Sequence, residues 1–245
     1  MKTVLSKDLL QGRRAEVLAY LGFLNTALSS NAAIHVPGGV SKNFDLGLTR
    51  TLKANAYLLL YNTVEAVMSQ LLEDIHTEVH DSNANLDELN HKLYVLVIKT
   101  LNKEGSVKID ESFAHPSARA MVLHWLKDYE KRVKRNKNPH FSGNLDSDTI
   151  KDIGRKYGFF NDDEVIDKKL SSKALKTVRD YRNKLAHGEY SFAEIGKWRS
   201  FLEVETDANS TLDTLQNTID VVNDFLVAKE YRRNPPQAVN MLGVA

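Results

Sequence analysis

The chain has 245 residues, of which 42% are apolar and 27% charged, an ordinary balance for a folded protein that excludes a disordered one. It has no cysteine, which excludes disulfides, thiolate metal sites, iron–sulfur clusters and cysteine nucleophiles. The net charge of +1 means that a nucleic-acid surface would have to come from local clustering of lysine and arginine.

The first residues, Met1 to Asp8, lack the apolar core of a signal peptide. The longest apolar run, Ala56 to Tyr61, is far too short to cross a bilayer, so a cytoplasmic location without a membrane partner is expected. Period-2 alternation is hard to find and glycine and proline are sparse, so the reading is all-α throughout. A first helix covers about Leu9 to Leu28, with Val17, Leu21, Leu24 and Leu28 in one stripe. Ile34 to Val40 reads as a loop. A long second helix runs from about Leu48 to Val79, with Leu52, Ala56, Leu59, Leu60, Thr63, Val67 and Leu71 on one side. A third follows from Leu86 to Leu101, then a connection over Gly105 to Pro116, then a fourth helix from Ser117 to Lys134.

Asn136 to Asn144 reads as a loop, and a short helix from Ser147 to Tyr157 stops at Gly158. The next helix is capped by Ser171 or Ser172 and ended by Gly188, the residue type best suited to a left-handed stop. Ser191 and Glu194 have the spacing of a capping box for a further short helix. The last long helix spans about Leu212 to Tyr231. These elements make one domain with a core over about residues 9 to 231, and a mobile tail is expected from 232 onward.

Chemistry concentrates at Tyr181-Arg182-Asn183-Lys184-Leu185-Ala186-His187-Gly188. Arginine is a permanent cation with a planar fork for phosphate, and histidine exchanges a proton near neutral pH. Together they suffice in principle for RNA cleavage without a metal: His187 moves a proton and Arg182 holds the phosphate. The alternative is a helix end whose histidine complements the dipole, preceded by an ordinary surface arginine. Arg182 and His187 are five residues apart, so they differ by about 140° around a regular helix. Asn183 and His187 are one turn apart, so the amide is expected to orient the ring. Arg179 and Lys184 add positive charge that can hold flanking phosphates or simply face solvent.

RNKLAHG resembles the arginine–histidine signature of the HEPN superfamily, and the similarity continues outside it. Leu52 to Glu65 resembles the long early helix of one bacterial branch. Phe141-Ser142-Gly143-Asn144-Leu145-Asp146, Tyr157-Gly158-Phe159 and Ser191 to Gly196 resemble its later segments. The resemblance implies a HEPN-like helical bundle acting as a homodimer, with two motifs joined in a composite ribonuclease site. The implied reaction is attack of the 2′-hydroxyl on the neighbouring phosphate, which DNA cannot undergo. The branch is associated with toxin–antitoxin and defence genes, which implies a toxin or defence effector with an antitoxin or other restraining partner. The alternative within the family is a non-catalytic module that binds protein or nucleotide and dimerises through the same helix.

Lys131-Arg132-Val133-Lys134-Arg135-Asn136-Lys137 is the densest basic run, with Trp125, Tyr129 and Phe141 in the vicinity. It reads either as an RNA track or as a solvated helix end whose cations complement the dipole. His76 and His80 have a metal-like spacing, but HExxH order and a third ligand are missing, so a solvent-exposed polar face is expected. Asn62 and Glu65 sit inside an apolar helix and are expected to make a satisfied structural hydrogen bond, with support of the site or dimer contact as the alternative. Gly38-Gly39 is not followed by the lysine–serine/threonine pair of a P-loop, which disfavours a nucleotide-cofactor enzyme.

Overall fold

Residues 46 to 81 hold no proline, a single glycine (Gly47, in the first turn) and an apolar row at helical spacing, and they fold into the longest helix among the described residues. In a computed structural model that describes residues 2–29, 32–35, 37–39, 41–103, 118–135, 138–141, 143–160, 170 and 172–234, this helix is α2, Leu46–Asp81. Its N-terminus is capped by Asp45, whose carboxylate accepts from the Leu48 N–H at 2.7 Å. At 36 residues it is about 54 Å long, enough to thread the whole core. Tyr57, Leu60, Tyr61, Val64, Met68, Leu71 and Ile75 along it are all inaccessible to solvent.

The other helices pack around α2. Before it comes α1, Val4–Ala27, whose Leu10, Val17, Leu21 and Leu24 face inward. Two short strands, β1 (Ala33–Ile34) and β2 (Lys42–Asn43), pair antiparallel between them, so part of the expected loop is a small hairpin. After it come a 3₁₀ turn at Leu86–Glu88, α3 (His91–Lys103), α4 (Ala118–Lys134) and α5 (Ser147–Tyr157). The expected third helix is therefore broken at Leu89, which is extended and bridges to Arg232. The chain ends with α6 (Ser172–Ala186), α7 (Phe192–Lys197) and α8 (Phe201–Val227). The architecture is an all-α bundle, with eight α-helices among the described residues.

Three expectations shift. Helix α8 begins eleven residues before Leu212, because Ser200 and Glu203 form a full capping box at its start. It ends at Val227, where Lys229 takes a positive φ of 55°. Arg232 and Arg233 do not begin a tail: the Arg232 guanidinium donates to the Ser82 carbonyl and the Arg233 N–H to the Glu88 carbonyl, at 2.8 and 2.7 Å. The connection over 105–116, the Asn136–Lys137 end of the basic run, Ser171 and the tail from 235 lie outside the described residues.

The motif helix is held by what precedes and follows it. On α6, Ala174, Leu175, Val178 and Leu185 are buried at helical spacing, and Tyr181 packs against Tyr57 of α2 with ring centroids 4.8 Å apart. Leu185 joins Ala54 and Ile195 in a small second core between α6, α2 and α7. Helix α7 lies directly on α2, where a Cβ on Gly196 would fall 1.8 Å from the Arg50 carbonyl oxygen. Glycine is thus required there by close approach.

Candidate active site at the end of helix α6

Helix α6 closes with the Glu189 N–H donating to Lys184 O and the Gly188 N–H to Leu185 O, a Schellman-type stop with Gly188 at φ 67°. This turn leaves His187 exposed on the last coil of the helix, and its ring makes no hydrogen bond to any described residue.

Arg182, five residues earlier, is half-buried and firmly placed. Its Nη1 donates to the Gly143 carbonyl at 3.1 Å and to the Asn183 Oδ1 at 3.0 Å. Its guanidinium carbon sits 4.5 Å from the centroid of the Tyr61 ring. The Nε and Nη2 hydrogens make no hydrogen bond to a described residue, so one edge of the fork is open. Tyr61 is itself fixed: its hydroxyl donates to Glu65 Oε1 at 3.0 Å and accepts from the Leu145 N–H at 3.2 Å. Burial pushes that phenol up to about 12, so it remains a neutral hydrogen-bonding group.

Asn183 does not orient the imidazole by its side chain. Its Oδ1 accepts from Arg182 and its Nδ2 donates to Asn144 Oδ1 at 2.8 Å. It therefore braces Arg182 and ties α6 to the 143–146 connection. Only its backbone reaches His187, accepting from the His187 N–H at 2.9 Å. Gly143 is part of the same brace: its φ is 73°, and a Cβ there would lie 3.1 Å from Arg182 Nη1.

Beside this brace is a cleft of about 420 Å³ lined by Gly143, Asn62, Glu65, Ser69, Asn138 and Phe141, with Val133 of α4 at its edge. Asn62 is exposed rather than locked in the expected structural hydrogen bond. Glu65 is engaged, but with Tyr61 of its own helix, one step from Arg182. Sequence reasoning missed Tyr61 and the Gly143 carbonyl as anchors. The only signal was that both lie in the segments resembling the family.

The remaining expected cations have different fates. Arg179 forms ion pairs with Asp146 and with Asp180, the latter at 2.6 Å, so it fastens α6 to the cap of α5 and is not an open phosphate ligand. Lys184 projects its ammonium among three rings, 5.6 Å from the centroid of Tyr181, 5.5 Å from Tyr190 and 5.6 Å from Trp198. On α4, Arg132 pairs with Asp128 at 2.6 Å and Lys134 with Glu130 at 2.5 Å, both one turn away on the same helix. Lys131, Lys134 and Arg135 are exposed.

The histidine pair at 76 and 80 separates. His80 is exposed, with Asp81 at 3.0 Å, whereas His76 is buried, contrary to expectation. Its Nε2 lies 2.8 Å from the Tyr157 hydroxyl, which also lies 2.8 Å from His140 Nε2. Burial holds His76 well below the usual histidine range; burial and the nearby Lys156 charge bring His140 down to about 4. Both rings are therefore neutral at pH 7. Tyr157 has one hydrogen to give, so one ring must donate to it while the other accepts. His76 Nδ1 has no partner, which favours the His76 proton on Nε2. Among the described residues no group of three histidines, carboxylates or cysteines is arranged to hold a metal, and no helix is long and apolar enough to cross a membrane.

No curated protein and no solved structure matches the chain. A family model does, that of the HEPN_MAE_28990-like HEPN domains, and it matches residues 1–231. The match takes in α6 with its arginine–histidine motif, the α2 helix that supports it and the 143–146 brace, so the chain belongs to the HEPN_MAE_28990-like HEPN family.

Proposed function

We propose that the protein is a metal-independent endoribonuclease that acts as a homodimer. The observation that carries this reading is the contrast at the end of α6: a guanidinium held in place with one edge open, followed by an exposed imidazole with no competing partner. The 2′-hydroxyl of one nucleotide attacks its own 3′-phosphorus, the bond to the next 5′-oxygen breaks, and a 2′,3′-cyclic phosphate and a 5′-hydroxyl result. His187 transfers a proton at the attacking or the leaving oxygen, which contributes on the order of 10²–10⁴ in rate. Arg182 stabilises the charge that builds on the phosphoryl oxygens. Because the nucleophile belongs to the substrate, these two groups suffice without a metal. Asn183 is a positioning residue for Arg182.

Arg182 and His187 are offset around the helix, so a second chain completes the site, with the two α6 ends facing each other across a two-fold axis. The cleft with Asn62 and Glu65 borders Arg182, and Lys131, Lys134 and Arg135 supply a track for the RNA backbone. Such an enzyme threatens its own cytoplasm, which fits a toxin or defence effector restrained by a partner. The competing reading is a non-catalytic module that dimerises and binds a protein or a nucleotide. The same anchoring of Arg182 favours that reading, since it stitches the 143–146 connection to α6. The two readings part on chemistry: the nuclease cuts RNA in excess EDTA to cyclic-phosphate ends and leaves a substrate with 2′-deoxyribose at the cleaved position intact. Equal cutting of that deoxy substrate would refute the mechanism.

A further inference from the structure

The cleft beside the Arg182 brace has a lining that contact with phosphate does not explain. Asn62, Glu65, Ala66 and Ser69 line it at helical spacing, so one stripe of α2 faces it. Around that stripe α2 is closed, with Thr63, Val64, Val67 and Met68 buried. Asn62 is exposed, and Glu65, Ala66 and Ser69 are half-buried. Among the described residues Glu65 is the only charged side chain that lines the cleft. A carboxylate repels phosphate, so the RNA backbone falls to the open edge of Arg182 and not to the cleft. What the cleft can take from an RNA strand is a base.

Two polar side chains are free to read a base edge. Asn62 makes no hydrogen bond to a described residue. Glu65 Oε1 accepts from the Tyr61 hydroxyl, and an ionised carboxylate has about four acceptor positions, so further donors can be taken. One turn apart on α2, the two groups are neighbours. Guanine alone among the RNA bases offers two adjacent donors on its Watson–Crick edge, N1–H and the N2 amino group, beside an acceptor, O6. A carboxylate meets the two donors side by side, and an amide N–H meets O6. Adenine and cytosine each set a bare ring nitrogen beside their amino group, and uracil flanks its N–H with two carbonyls. Each of these would turn a lone pair toward Glu65. The short side chains of Ala66 and Ser69 leave room for a ring, and half-buried Phe141 and Val133 give it an apolar surface.

We infer that this cleft is a specificity pocket for an unpaired guanine of the RNA substrate. The Glu65 carboxylate accepts from its N1–H and N2–H, and the Asn62 amide donates to its O6. The inference deepens the nuclease reading and rests on it for the place of the cut. Glu65 holds Tyr61 beneath Arg182, the Gly143 carbonyl accepts from Arg182, and both residues line the cleft. A guanosine seated there presents its own 3′-phosphate to the guanidinium, so the fragments end in guanosine 2′,3′-cyclic phosphate.

The test is fluorescence anisotropy of the full chain with short labelled 2′-fluoro oligonucleotides, which lack the nucleophile and differ only in one central base. Guanine should bind about tenfold tighter or more than adenine, cytosine or uracil, with hypoxanthine, which lacks the N2 amino group, in between. Glu65→Gln should bring guanine to the level of the other bases and leave those unchanged. Asn62→Ala, on an exposed residue, should weaken guanine alone. A merely structural role would lower all of them together. Equal binding of all bases, no binding at millimolar concentration, or a Glu65→Gln variant that keeps the guanine preference would overturn the inference. So would a Glu65→Gln variant that turns the dimer into a monomer in light scattering with the base ranking unchanged, since Glu65 would then serve the contact between chains. Sequencing of cut ends separates the pocket from the nuclease. Cleavage in EDTA after all bases equally overturns the pocket and keeps the nuclease, whereas guanine-selective binding by a protein that cuts no RNA keeps the pocket and removes the nuclease.

Discussion

The Arg182 guanidinium lies over the face of Tyr61, 4.5 Å from its centroid, and Tyr61 is pinned in turn by Glu65 and by the backbone at Leu145. A cation–π contact of this kind, partly desolvated, contributes about 1–2 kcal/mol. Tyr61→Phe keeps the ring but loses the hydroxyl, so it should cost about 1–2 kcal/mol in chemical denaturation and leave most activity. Tyr61→Ala should cost about 3–5 kcal/mol and release Arg182, with a further drop in RNA cleavage by protein that is still folded.

Gly143→Ala tests the other half of the brace. The positive φ alone costs a non-glycine residue about 1 kcal/mol, and the new methyl presses on Arg182 Nη1. The expected result is a small loss of stability, read from a denaturation midpoint, with a disproportionate loss of cleavage rate. Loss of stability alone, with an unchanged rate, would mean that the position of Arg182 does not matter.

Arg179 is predicted to be structural. Its removal strands Asp146, which is buried and caps α5. Because Arg179 is itself partly exposed, the cost should be roughly 2 kcal/mol, below the about 3–5 kcal/mol of a fully buried pair that loses one partner. Arg179→Ala should leave the salt dependence of RNA binding unchanged in filter-binding assays. Neutralising Lys131, Lys134 or Arg135 should make the log–log slope shallower, by up to about 0.7 for each RNA phosphate that the side chain neutralises.

The buried His76–Tyr157–His140 chain predicts the pH dependence of stability. Both imidazoles are held neutral in the fold, His140 with its pKa brought down to about 4 by burial and Lys156. In the unfolded chain each titrates near about 6.5. Between these values the unfolded state takes up protons that the native state refuses. Their contribution is therefore intact above about pH 6.5 and is lost as pH falls toward 4, by about 3 kcal/mol for His140 alone. Urea denaturation across that window should show the slope. His140→Gln, whose amide can still meet the Tyr157 hydroxyl, should start less stable and fall more gently.

Much of the fold is legible in the sequence because apolar spacing reports helices directly. The i, i+4 rows of α1 and α2 and the stops at Gly158 and Gly188 all appear as expected. The start of α8 is hidden because its first turns bury Asp207 and Thr211, polar residues on the inward face that break the apolar row. Asp207 is tolerated there only because Arg199 and Tyr57 bond to it, partners that a local pattern does not contain. His76 misleads in the same way, since its partner Tyr157 is 81 residues away. The two motif residues could be named from the sequence, but not the machinery that holds Arg182. Tyr61 and Gly143 meet it only through the tertiary fold, and Asn183 turns toward Arg182 and Asn144 instead of toward His187.

The central claim, that Arg182 and His187 form one nucleolytic site, is tested most directly by cleavage of a labelled RNA in excess EDTA. Wild-type protein, Arg182→Ala and His187→Ala should be compared under single-turnover conditions. The wild type should release fragments ending in 2′,3′-cyclic phosphate. Each variant should be slower by about 10²-fold or more, with its helical circular-dichroism spectrum retained. Cleavage by both variants at the wild-type rate, or wild-type protein that cuts no RNA as a purified dimer, would contradict the account.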